Sequence, residues 1–403
     1  MRRLKEASNL STIKNNNRSL ILRVLNAMGQ VSRADLARIT GLTKTSITNI
    51  AGELIKEGLV YETGTADSPS GRKPIMLNLN EQALNAIGVY ISRDFVYTNI
   101  ANLKGKVMME EKLSLDFTEN EHSLLSKIFS SIERLLADSA VERTKILGAG
   151  VASIGPLNIK EGIILDPPNF RGLRSIHIVN ALEERFGLKV FLDNDMNASA
   201  IAEKLFGNAK NVSNFIYIGI TNGIGAGIFL NNEIFRGLNG FAGEIGHTTV
   251  DMRGERCPCG NLGCLELYAS IPNAVNEVKA STGNGASGSF TQTENITWSG
   301  IVDAAKAGDR LCIRVIDKLT YYISVGIVNT VNSFDPETIF LGHDIALAGE
   351  LVLKPLNDMV NRSFMFRNSE HVNIELSKFG VYSPCIGAPA IVLNKFFAGQ
   401  LLN

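Results

Sequence analysis

The chain has 403 residues, 45% of them hydrophobic and 20% charged, so it is long enough for two or three globular domains. The N-terminal region has no apolar segment typical of a signal peptide, and the longest apolar run, residues 214–230, is broken by polar residues and glycines. We therefore expect a cytoplasmic protein that does not contact a membrane, in which clustered cysteines bind metal more often than they form disulfides.

The zero net charge of the chain conceals an asymmetry. Residues 1–80 contain twelve Lys or Arg and six Asp or Glu, so this segment carries a formal charge of +6 and the remainder carries −6. A basic segment in front of an acidic body predicts that any polyanion-binding surface lies in residues 1–80.

The first predicted elements are helices. Residues 19–28 have apolar residues at helical spacing, and Ser32 followed by Asp35 is typical of a helix N-cap. Gly41 ends this second helix, and Thr43 begins a third. The apolar residues predicted to form the buried faces of the second and third helices are Leu36, Ala37, Ile39, Ile47, Ile50, Leu54 and Ile55.

The third helix begins with small, polar or basic outward residues, which suit insertion into the DNA major groove. Two extended segments, 59–64 and 73–79, follow and predict a β-hairpin wing whose tip approaches the phosphate backbone. A helical protein-interaction module is the alternative. The residues predicted to bind DNA are Ser32, Arg33, Thr43, Lys44, Thr45, Ser46, Thr48, Asn49, Arg72 and Lys73.

The sequence pattern of residues 21–64 closely resembles the winged helix-turn-helix of the ROK family, which contains repressors and sugar kinases. Kinase members of this family generally lack that module. The resemblance extends from about residue 16 to near the C-terminus and implies an actin-like, sugar-kinase-like α/β fold after the winged helix-turn-helix.

The body of the chain contains two similar series of elements. Three strand-like segments, a helical run and a further strand follow residue 84, and a similar order recurs from residue 215. This repeat predicts two α/β halves that enclose a ligand cleft. We expect a DNA-binding domain at 1–82, a first lobe at 83–205 to which helix 386–403 returns, and a second lobe at 206–385. Residues 281–297 are predicted to form a mobile loop.

Three of the five cysteines, Cys257, Cys259 and Cys264, lie within eight residues, and His247 precedes them. Three thiolates and one imidazole are sufficient for a closed tetrahedral zinc site, which is structural because it has no open position for water. Reduced structural cysteines are the alternative, and a redox role is less favoured because the spacing is not Cys-x-x-Cys.

The motif C-x-C-G-x-x-G-C-x-E after Gly-His is the signature of the ROK family, and it is complete here. The resemblance implies that zinc holds one ring nitrogen of the histidine while the other faces a sugar hydroxyl. Two further family motifs, P-N and N-D, also match, although the local sequence of the second equally allows helix capping. The implied sugar-binding residues are Asn169, Asn194, Asp195, Glu244, His247 and Glu266, with Asp195 at the position of the kinase base.

The nucleotide-binding motifs of ROK kinases are incomplete. Tyr90 replaces the acid of the first phosphate loop, and Ser92 and Arg93 replace its glycines. The second loop retains Gly223, Gly225 and Gly227, but the last motif reads Gly342-His343-Asp344 in place of three glycines.

The sequence therefore predicts a repressor without catalytic residues, with Asp195 as a vestigial base. Its expected partners are a pseudo-palindromic operator, a monosaccharide or amino-sugar effector and a second copy in a dimer or dimer of dimers. A sugar kinase with an added DNA-binding module and a repressor controlled by a protein partner are the alternatives.

Overall fold

The computed structural model describes residues 10–65, 75–116, 119–167, 170, 172–283, 289–290, 295–363 and 372–402. The chain divides into two compact units, one of residues 1–195 and 385–403 and the other of residues 196–384. The polypeptide thus passes from one unit to the other at 195/196 and again at 384/385. Within the described ranges, no helix combines the length and the hydropathy that crossing a bilayer requires.

The first unit begins with a winged-helix module, which we define as residues 10–79. Its sheet has the antiparallel order β1-β3-β2, and Leu22, Leu25, Leu36, Ile47 and Leu54 are fully buried between sheet and helices. This arrangement confirms the predicted winged helix-turn-helix. The elements are α1 (Leu10–Met28), β1 (Val31–Ser32), α2 (Arg33–Thr40), α3 (Lys44–Lys56), β2 (Val60–Thr65) and β3 (Ile75–Leu79).

The predicted cap residues define the ends of α2 and α3. The Ser32 side chain accepts a hydrogen bond from the Asp35 backbone N–H at 3.1 Å, and Thr43 accepts one from the Ser46 N–H at 3.1 Å. Gly41 has a φ of 71°, a left-handed conformation that glycine adopts readily, and its N–H bonds the Ala37 carbonyl. These side chains satisfy amides that have no partner inside the helix.

Three details of the module differ from the prediction. Helix α1 begins at Leu10 rather than residue 19, although residues 14–18 are polar, because its third turn packs through Arg18 and Ser19, which are buried. Ile39 is exposed, since α2 is only two turns long and only Leu36 enters the core. Ile55 is half-buried near the end of α3.

The rest of the first unit is an α/β lobe. Its sheet has the order β10-β7-β4-β5-β6, with β4, β5 and β6 antiparallel and β7 and β10 parallel to β4. The apolar faces of α4 and α5 pack in the core with these strands. The elements are β4 (Asn85–Ile91), β5 (Phe95–Asn102), β6 (Val107–Ser114), α4 (Glu121–Asp138), a 3-10 turn (Arg143–Lys145), β7 (Ile146–Ser153), β8 (Leu157–Asn158), β9 (Ile163–Ile164), α5 (Ile178–Phe186) and β10 (Val190–Asn194).

The second unit contains its own five-stranded sheet, of order β13-β12-β11-β14-β15, and a large helical core around α10. The elements are α6 (Asp195–Phe206), β11 (Phe215–Ile220), β12 (Ile224–Leu230), β13 (Glu233–Ile234), a 3-10 turn (Ile245–His247), α7 (Glu266–Ala269), α8 (Ile271–Gly283), α9 (Trp298–Lys306), α10 (Arg310–Phe334), β14 (Thr338–Gly342), a 3-10 turn (His343–Ala348), α11 (Glu350–Ser363), β15 (Asn373–Leu376) and a 3-10 turn (Gly380–Tyr382). The last helix, α12 (Ser383–Phe397), begins in the second unit and lies mostly in the first.

The C-terminal helix α12 returns to the sheet of the first unit at two glycines. A methyl group built on Gly88 would lie 2.3 Å from Pro389 Cδ, and one built on Gly150 would lie 2.0 Å from the Ala388 carbonyl oxygen. The absence of side chains at these positions of β4 and β7 therefore allows α12 to approach the sheet backbone.

The two sheets have the same topology, which confirms the predicted repeat. In each, three antiparallel strands come first along the chain and two later strands add in parallel beside the first of them. The loop predicted at 281–297 is partly wrong. Helix α8 continues to Gly283, with the Thr282 hydroxyl bonded to the Val278 carbonyl at 2.9 Å, and Thr297 is the N-cap of α9.

Candidate metal centre and ligand-binding residues

The predicted zinc ligands come together in the second unit. One ligand atom from each of His247, Cys257, Cys259 and Cys264 lies within 4.8 Å of all the others. The Cys259 and Cys264 sulfurs are 3.7 Å apart, and the Cys257 sulfur is 3.7 Å from His247 Nδ1. For Zn–S bonds of about 2.3 Å, tetrahedral geometry places adjacent sulfurs roughly 3.8 Å apart. The donor set and its spacing therefore fit a tetrahedral zinc ion.

The loop between His247 and Cys264 is folded by its own backbone. A turn from Cys257 to Gly260 is closed by a 2.9 Å hydrogen bond, and the Cys257 N–H bonds the Asn261 carbonyl at 2.8 Å. The Asn261 side-chain amide donates to the His247 carbonyl at 3.0 Å. Gly263 has a φ of 59° and lies against the Asp251 carbonyl, where a methyl group would be 1.7 Å from the oxygen. The loop geometry thus depends on a glycine at 263.

The thiols of the cluster have different environments. Cys257 and Cys264 are buried, whereas Cys259 is exposed. Burial, together with the neighbouring thiols, raises the pKa of Cys264 to about 12, while a hydrogen bond from the Asn261 backbone is the largest cause that lowers the pKa of Cys259. A divalent cation would favour the thiolate form of all three. Four protein ligands leave no position for a reacting water, so a bound zinc would be structural.

Glu266 follows the last cysteine by two residues and begins α7. Its Oε2 atom accepts a hydrogen bond from the Ile224 backbone N–H at 3.0 Å. A methyl group at Gly223 would lie 2.7 Å from the same oxygen. Gly223 therefore has a specific use in this chain: it leaves space for the Glu266 carboxylate at the start of β12.

Glu244 caps the 3-10 turn that contains His247, and its carbonyl accepts a hydrogen bond from the His247 N–H at 3.1 Å. Its side chain is exposed, but desolvation by the surrounding protein atoms raises the pKa of its carboxyl. His247 lowers this pKa and Glu266 raises it. Two carboxylates and one imidazole of the second unit are thus close enough to interact.

The other predicted sugar ligands belong to the first unit. Asn194 ends β10 and is half-buried, and Asp195 is buried at the first position of α6. The Asn194 N–H donates to Asp193 Oδ1 at 2.9 Å. Asn169 lies outside the described residues.

Most residues predicted to bind DNA lie on the surface of the winged-helix module. Thr43, Lys44, Thr45, Thr48 and Asn49 are exposed around the N-terminal half of α3, and Ser46 is half-buried beside them. These positions form one polar face that begins at the positive end of the helix dipole, which favours phosphate.

Two other predicted DNA contacts, Ser32 and Arg33, are not exposed. Ser32 is buried, and its hydroxyl lies 2.7 Å from Asp35 Oδ2 in addition to its capping bond, so we revise its role to that of a cap. Arg33 is half-buried and forms an ion pair with Glu62 at 2.7 Å. Arg72 and Lys73 lie outside the described residues.

Tyr90, at the position of the acid expected in the first phosphate loop, packs against a second aromatic side chain. Tyr90 is buried, and its ring packs edge-to-face on Phe95 with centroids 5.7 Å apart. The Ser92 N–H closes the β4–β5 turn with a 2.9 Å bond to the Phe95 carbonyl. A tyrosine packed in this way has no carboxylate to hold a nucleotide-bound metal.

The glycines retained in the second loop serve packing within the second unit. A methyl group on Gly225 would lie 2.9 Å from Met196 Cγ, and one on Gly227 would lie 2.4 Å from the Met196 carbonyl oxygen. Strand β12 therefore lies close to α6, as the packing interpretation of these glycines requires.

The last nucleotide motif contains an unusual histidine. His343 is buried, has a φ of 63°, and its Nδ1 lies 2.9 Å from the Tyr217 hydroxyl. A methyl group on Gly342 would be 1.9 Å from that hydroxyl. The Asp344 carboxyl accepts a hydrogen bond from Thr221, and the Asp344 carbonyl accepts one from Trp298 Nε1 at 2.8 Å.

The side chains that contact residues 342–344 were not predicted from the sequence. Tyr217, Thr221 and Trp298 lie far from residues 342–344 in sequence, and none belongs to a motif that pairs it with them. Only the parallel pairing of β11 with β14 brings Tyr217 beside Phe340 and Gly219 beside Gly342.

Comparisons with known proteins agree with this architecture. Residues 86–395 match the model of the ROK family, and residues 15–72 match the model of the MarR family. The xylose repressor of Caldicellulosiruptor bescii is 33% identical over 389 residues, 96% of this chain and 97% of the repressor.

Two solved structures share the fold. A ROK family transcriptional regulator, a homologue of the Escherichia coli MLC protein, is 28% identical with a TM-score of 0.83, covering 97% of this chain and 98% of that one. A ROK family glucokinase from Streptomyces griseus, solved with glucose and AMPPNP, is 26% identical with a TM-score of 0.66, covering 76% of this chain and 98% of the kinase. The chain belongs to the ROK family.

Proposed function

We propose that the protein is a sugar-responsive DNA-binding transcriptional repressor of genes for carbohydrate uptake or catabolism. The observation that carries the proposal is the presence, in one chain, of an exposed polar face on α3 and of the Glu244–His247–Glu266 group beside a fitting zinc cluster. The likeness over nearly its whole length to a xylose repressor supports it.

The proposed effector is a monosaccharide or amino sugar. Carboxylates accept hydrogen bonds from sugar hydroxyls, and the ring of a zinc-bound histidine has one N–H left to donate. We retain Glu244, His247 and Glu266, together with Asn169, Asn194 and Asp195, as its proposed ligands. D-xylose is the first sugar to test because of the 33% identical xylose repressor.

In this proposal the protein is not an enzyme. Tyr90 offers no carboxylate to a metal ion, and Tyr217 and His343 fill the space beside Gly342. Phosphoryl transfer depends on held phosphates and a charge-neutralising metal. A sugar kinase with an added DNA-binding module is the second candidate, supported by the 26% identical glucokinase.

The proposal assigns a role to each part of the chain. Residues 1–82 bind a pseudo-palindromic operator, residues 83–205 with 386–403 form one lobe, and residues 206–385 form the lobe that holds zinc through His247, Cys257, Cys259 and Cys264. Two winged helices are needed to read both halves of such an operator, so the proposed protein is a homodimer or a dimer of dimers in the cytoplasm.

One experiment tests the proposed function directly. DNA selected from random duplexes by the purified protein is titrated by fluorescence anisotropy with and without D-xylose, D-glucose and N-acetyl-D-glucosamine. We expect one sugar to lower the operator affinity. An effect of a protein partner without any effect of sugar would favour a partner-controlled repressor, and ADP release from ATP that depends on Asp195 would favour the kinase.

A further inference from the structure

Two helices contain the places where the chain passes between its compact units. Helix α6 begins at Asp195, where the first unit ends, and α12 begins at Ser383, two residues before the return at 384/385. Asp195 is also a proposed sugar ligand. These two connections are the covalent links through which a change in one unit can reach the other.

A buried carboxylate lies two turns into α6. Glu203 is fully buried, and burial raises the pKa of its carboxyl. Its Oε1 accepts hydrogen bonds from the Ser377 hydroxyl at 2.5 Å and from the Lys378 backbone N–H at 2.7 Å, and its Oε2 accepts one from the Asn208 N–H at 2.9 Å. The Lys378 ammonium donates to the Phe206 carbonyl at 2.9 Å. Residues 377–378 are therefore hydrogen-bonded to both Glu203 and Phe206 in the C-terminal half of α6.

Ser377 extends this network to the second connection. Its hydroxyl lies 2.8 Å from the hydroxyl of Ser383, the fully buried first residue of α12. The Ser383 hydroxyl is also 2.8 Å from the Gly380 carbonyl. A chain of three side chains, Glu203, Ser377 and Ser383, therefore ties α6 to the start of α12 within the second unit.

The other end of α12 holds the winged-helix module within the first unit. The carbonyl of Phe397, the last residue of α12, accepts hydrogen bonds from the Ser19 hydroxyl and from Arg23 Nε at 2.8 Å, both on α1. Arg18 of α1 is buried and forms an ion pair with Glu57, the C-cap of α3. Helix α12 is thus linked at one end to Glu203 through Ser377 and at the other end to the proposed DNA-binding module.

We infer that Glu203 is a positioning residue for the effector response: it makes α6 and α12 move together, so that a sugar held at Asp195 alters the setting of α1 and α3. The inference rests on the proposed function. A buried carboxylate that accepts three hydrogen bonds suits this role. Breaking one of these bonds leaves a buried charge less well solvated, which costs free energy, so the donors are expected to move with the carboxylate. The event that Glu203 would relay is the binding of a sugar hydroxyl at Asp195, the first residue of α6.

Two variants of graded severity test the inference. Ser383→Ala removes the contact to α12 and leaves Glu203 in place, whereas Glu203→Gln keeps the shape and removes the charge. Ser324→Ala, at a similarly buried serine whose hydroxyl donates to the Tyr321 carbonyl in α10, is the matched control. The quantity measured is the ratio of operator dissociation constants with and without saturating sugar, with D-xylose, D-glucose and N-acetyl-D-glucosamine as probes.

Typical allosteric couplings give a ratio of about 5–150, and we expect both variants to reduce it to within roughly threefold of one. Sugar affinity by calorimetry should stay near the wild-type value, which a merely destabilised fold would not give. Amide hydrogen exchange in the first turn of α12 should respond to sugar in the wild type and in Ser324→Ala only.

If Ser383→Ala folds, binds sugar and keeps the wild-type ratio of operator dissociation constants, the inference is wrong, while the proposed function still stands. If Glu203→Gln does not fold, Ser383→Ala alone tests the inference. A wild-type protein that binds operator without any sugar effect defeats the proposed function and the inference together.

Discussion

The Tyr217 hydroxyl lies 2.9 Å from Nδ1 of His343, and both side chains are buried in the second unit. His343 Nε2 is also buried and has no hydrogen-bond partner among the described residues. Burial lowers the pKa of His343 to about 4, because the imidazolium would lose its hydration without gaining a counterion.

This pair predicts a pH dependence of stability. Since the pKa of His343 is lower in the folded chain than the usual 6.5, the unfolded chain binds more protons between these values. The contribution of His343 to the free energy of unfolding should therefore be constant above pH 6.5 and fall towards pH 4, by about 3 kcal/mol in total. His343→Asn, which also tolerates positive φ, should remove this component from urea unfolding curves.

Exposed His122 on α4 supplies the control, His122→Asn. Both variants keep the zinc ligands, so acid release of metal affects them equally. An unchanged slope in His343→Asn relative to this control would show that His343 binds its proton in the folded state.

The N-cap of α3 should stabilise its first turn measurably. Thr43→Ala removes the side chain that accepts the Ser46 N–H, and such losses typically cost about 1 kcal/mol. Thr48→Ala should be neutral or stabilising, because among the described residues the Thr48 hydroxyl bonds only the Lys44 carbonyl within the same helix. Hydrogen exchange of the first amides of α3 is the measurement, and equal protection in both variants would contradict the capping role.

Metal analysis of freshly purified, reduced protein should find one zinc ion per chain, held by the four clustered ligands. Cys264→Ser should lower this content and the thermal midpoint together, because metal binding and folding of residues 247–264 are coupled. Cys312→Ser, at a buried cysteine of α10 outside the cluster, should keep the zinc. Metal-free wild-type protein that binds sugar normally would refute the structural role.

Two substitutions on α3 should separate affinity from specificity. Lys44→Ala is expected to weaken binding to all duplexes and to reduce the salt slope by about one. Asn49→Ala should instead change the preferred base at one position, by about 1–3 kcal/mol. Binding-site selection with salt titration distinguishes the two, and Lys56→Ala at the far end of α3 is the control. A base preference that shifts with Lys44 rather than Asn49 would mean that α3 enters the groove differently.

Sugar binding should depend on Glu266, a proposed ligand, and not on an acid of the second unit outside the proposed site. Glu266→Gln removes a charged acceptor worth about 1.5–3 kcal/mol, so the dissociation constant should rise roughly 10–150-fold. The amide still offers an oxygen to the Ile224 N–H, so the fold and zinc content should persist. Glu277→Gln on α8, whose half-buried carboxylate pairs with Lys318, should leave calorimetric sugar titrations unchanged. If both variants bind alike, Glu266 is not a ligand.

Local features of the chain were predictable because they depend on neighbouring residues. Ser32, Gly41 and Thr43 define helix ends through contacts within four residues, and the zinc motif gathers its ligands within a short loop. The repeat of strands was equally visible, since each half carries its own alternation of apolar segments.

The remaining features depend on pairings distant in sequence. The contacts of His343 with Tyr217 and of Glu203 with Ser377 join segments more than 120 residues apart. The role of Ser32 could not be predicted for another reason. A serine can cap a helix or contact phosphate, and only the burial of Ser32 in the structure distinguishes these roles. Exposure of Ile39 likewise follows from the short length of α2, which periodicity alone does not reveal.

Lys104, in the turn between β5 and β6, donates to the carbonyls of Leu25 and Asn26 at 3.3 and 3.1 Å, near the C-terminal end of α1. Ser19 and Arg23 of α1 also donate hydrogen bonds to the Phe397 carbonyl, so α1 is held at two places along its length. The consequence concerns domain exchange. A chimera that imports a foreign winged helix into this scaffold must match Lys104 and the end of α12, and otherwise it would join two folded parts without transferring ligand control.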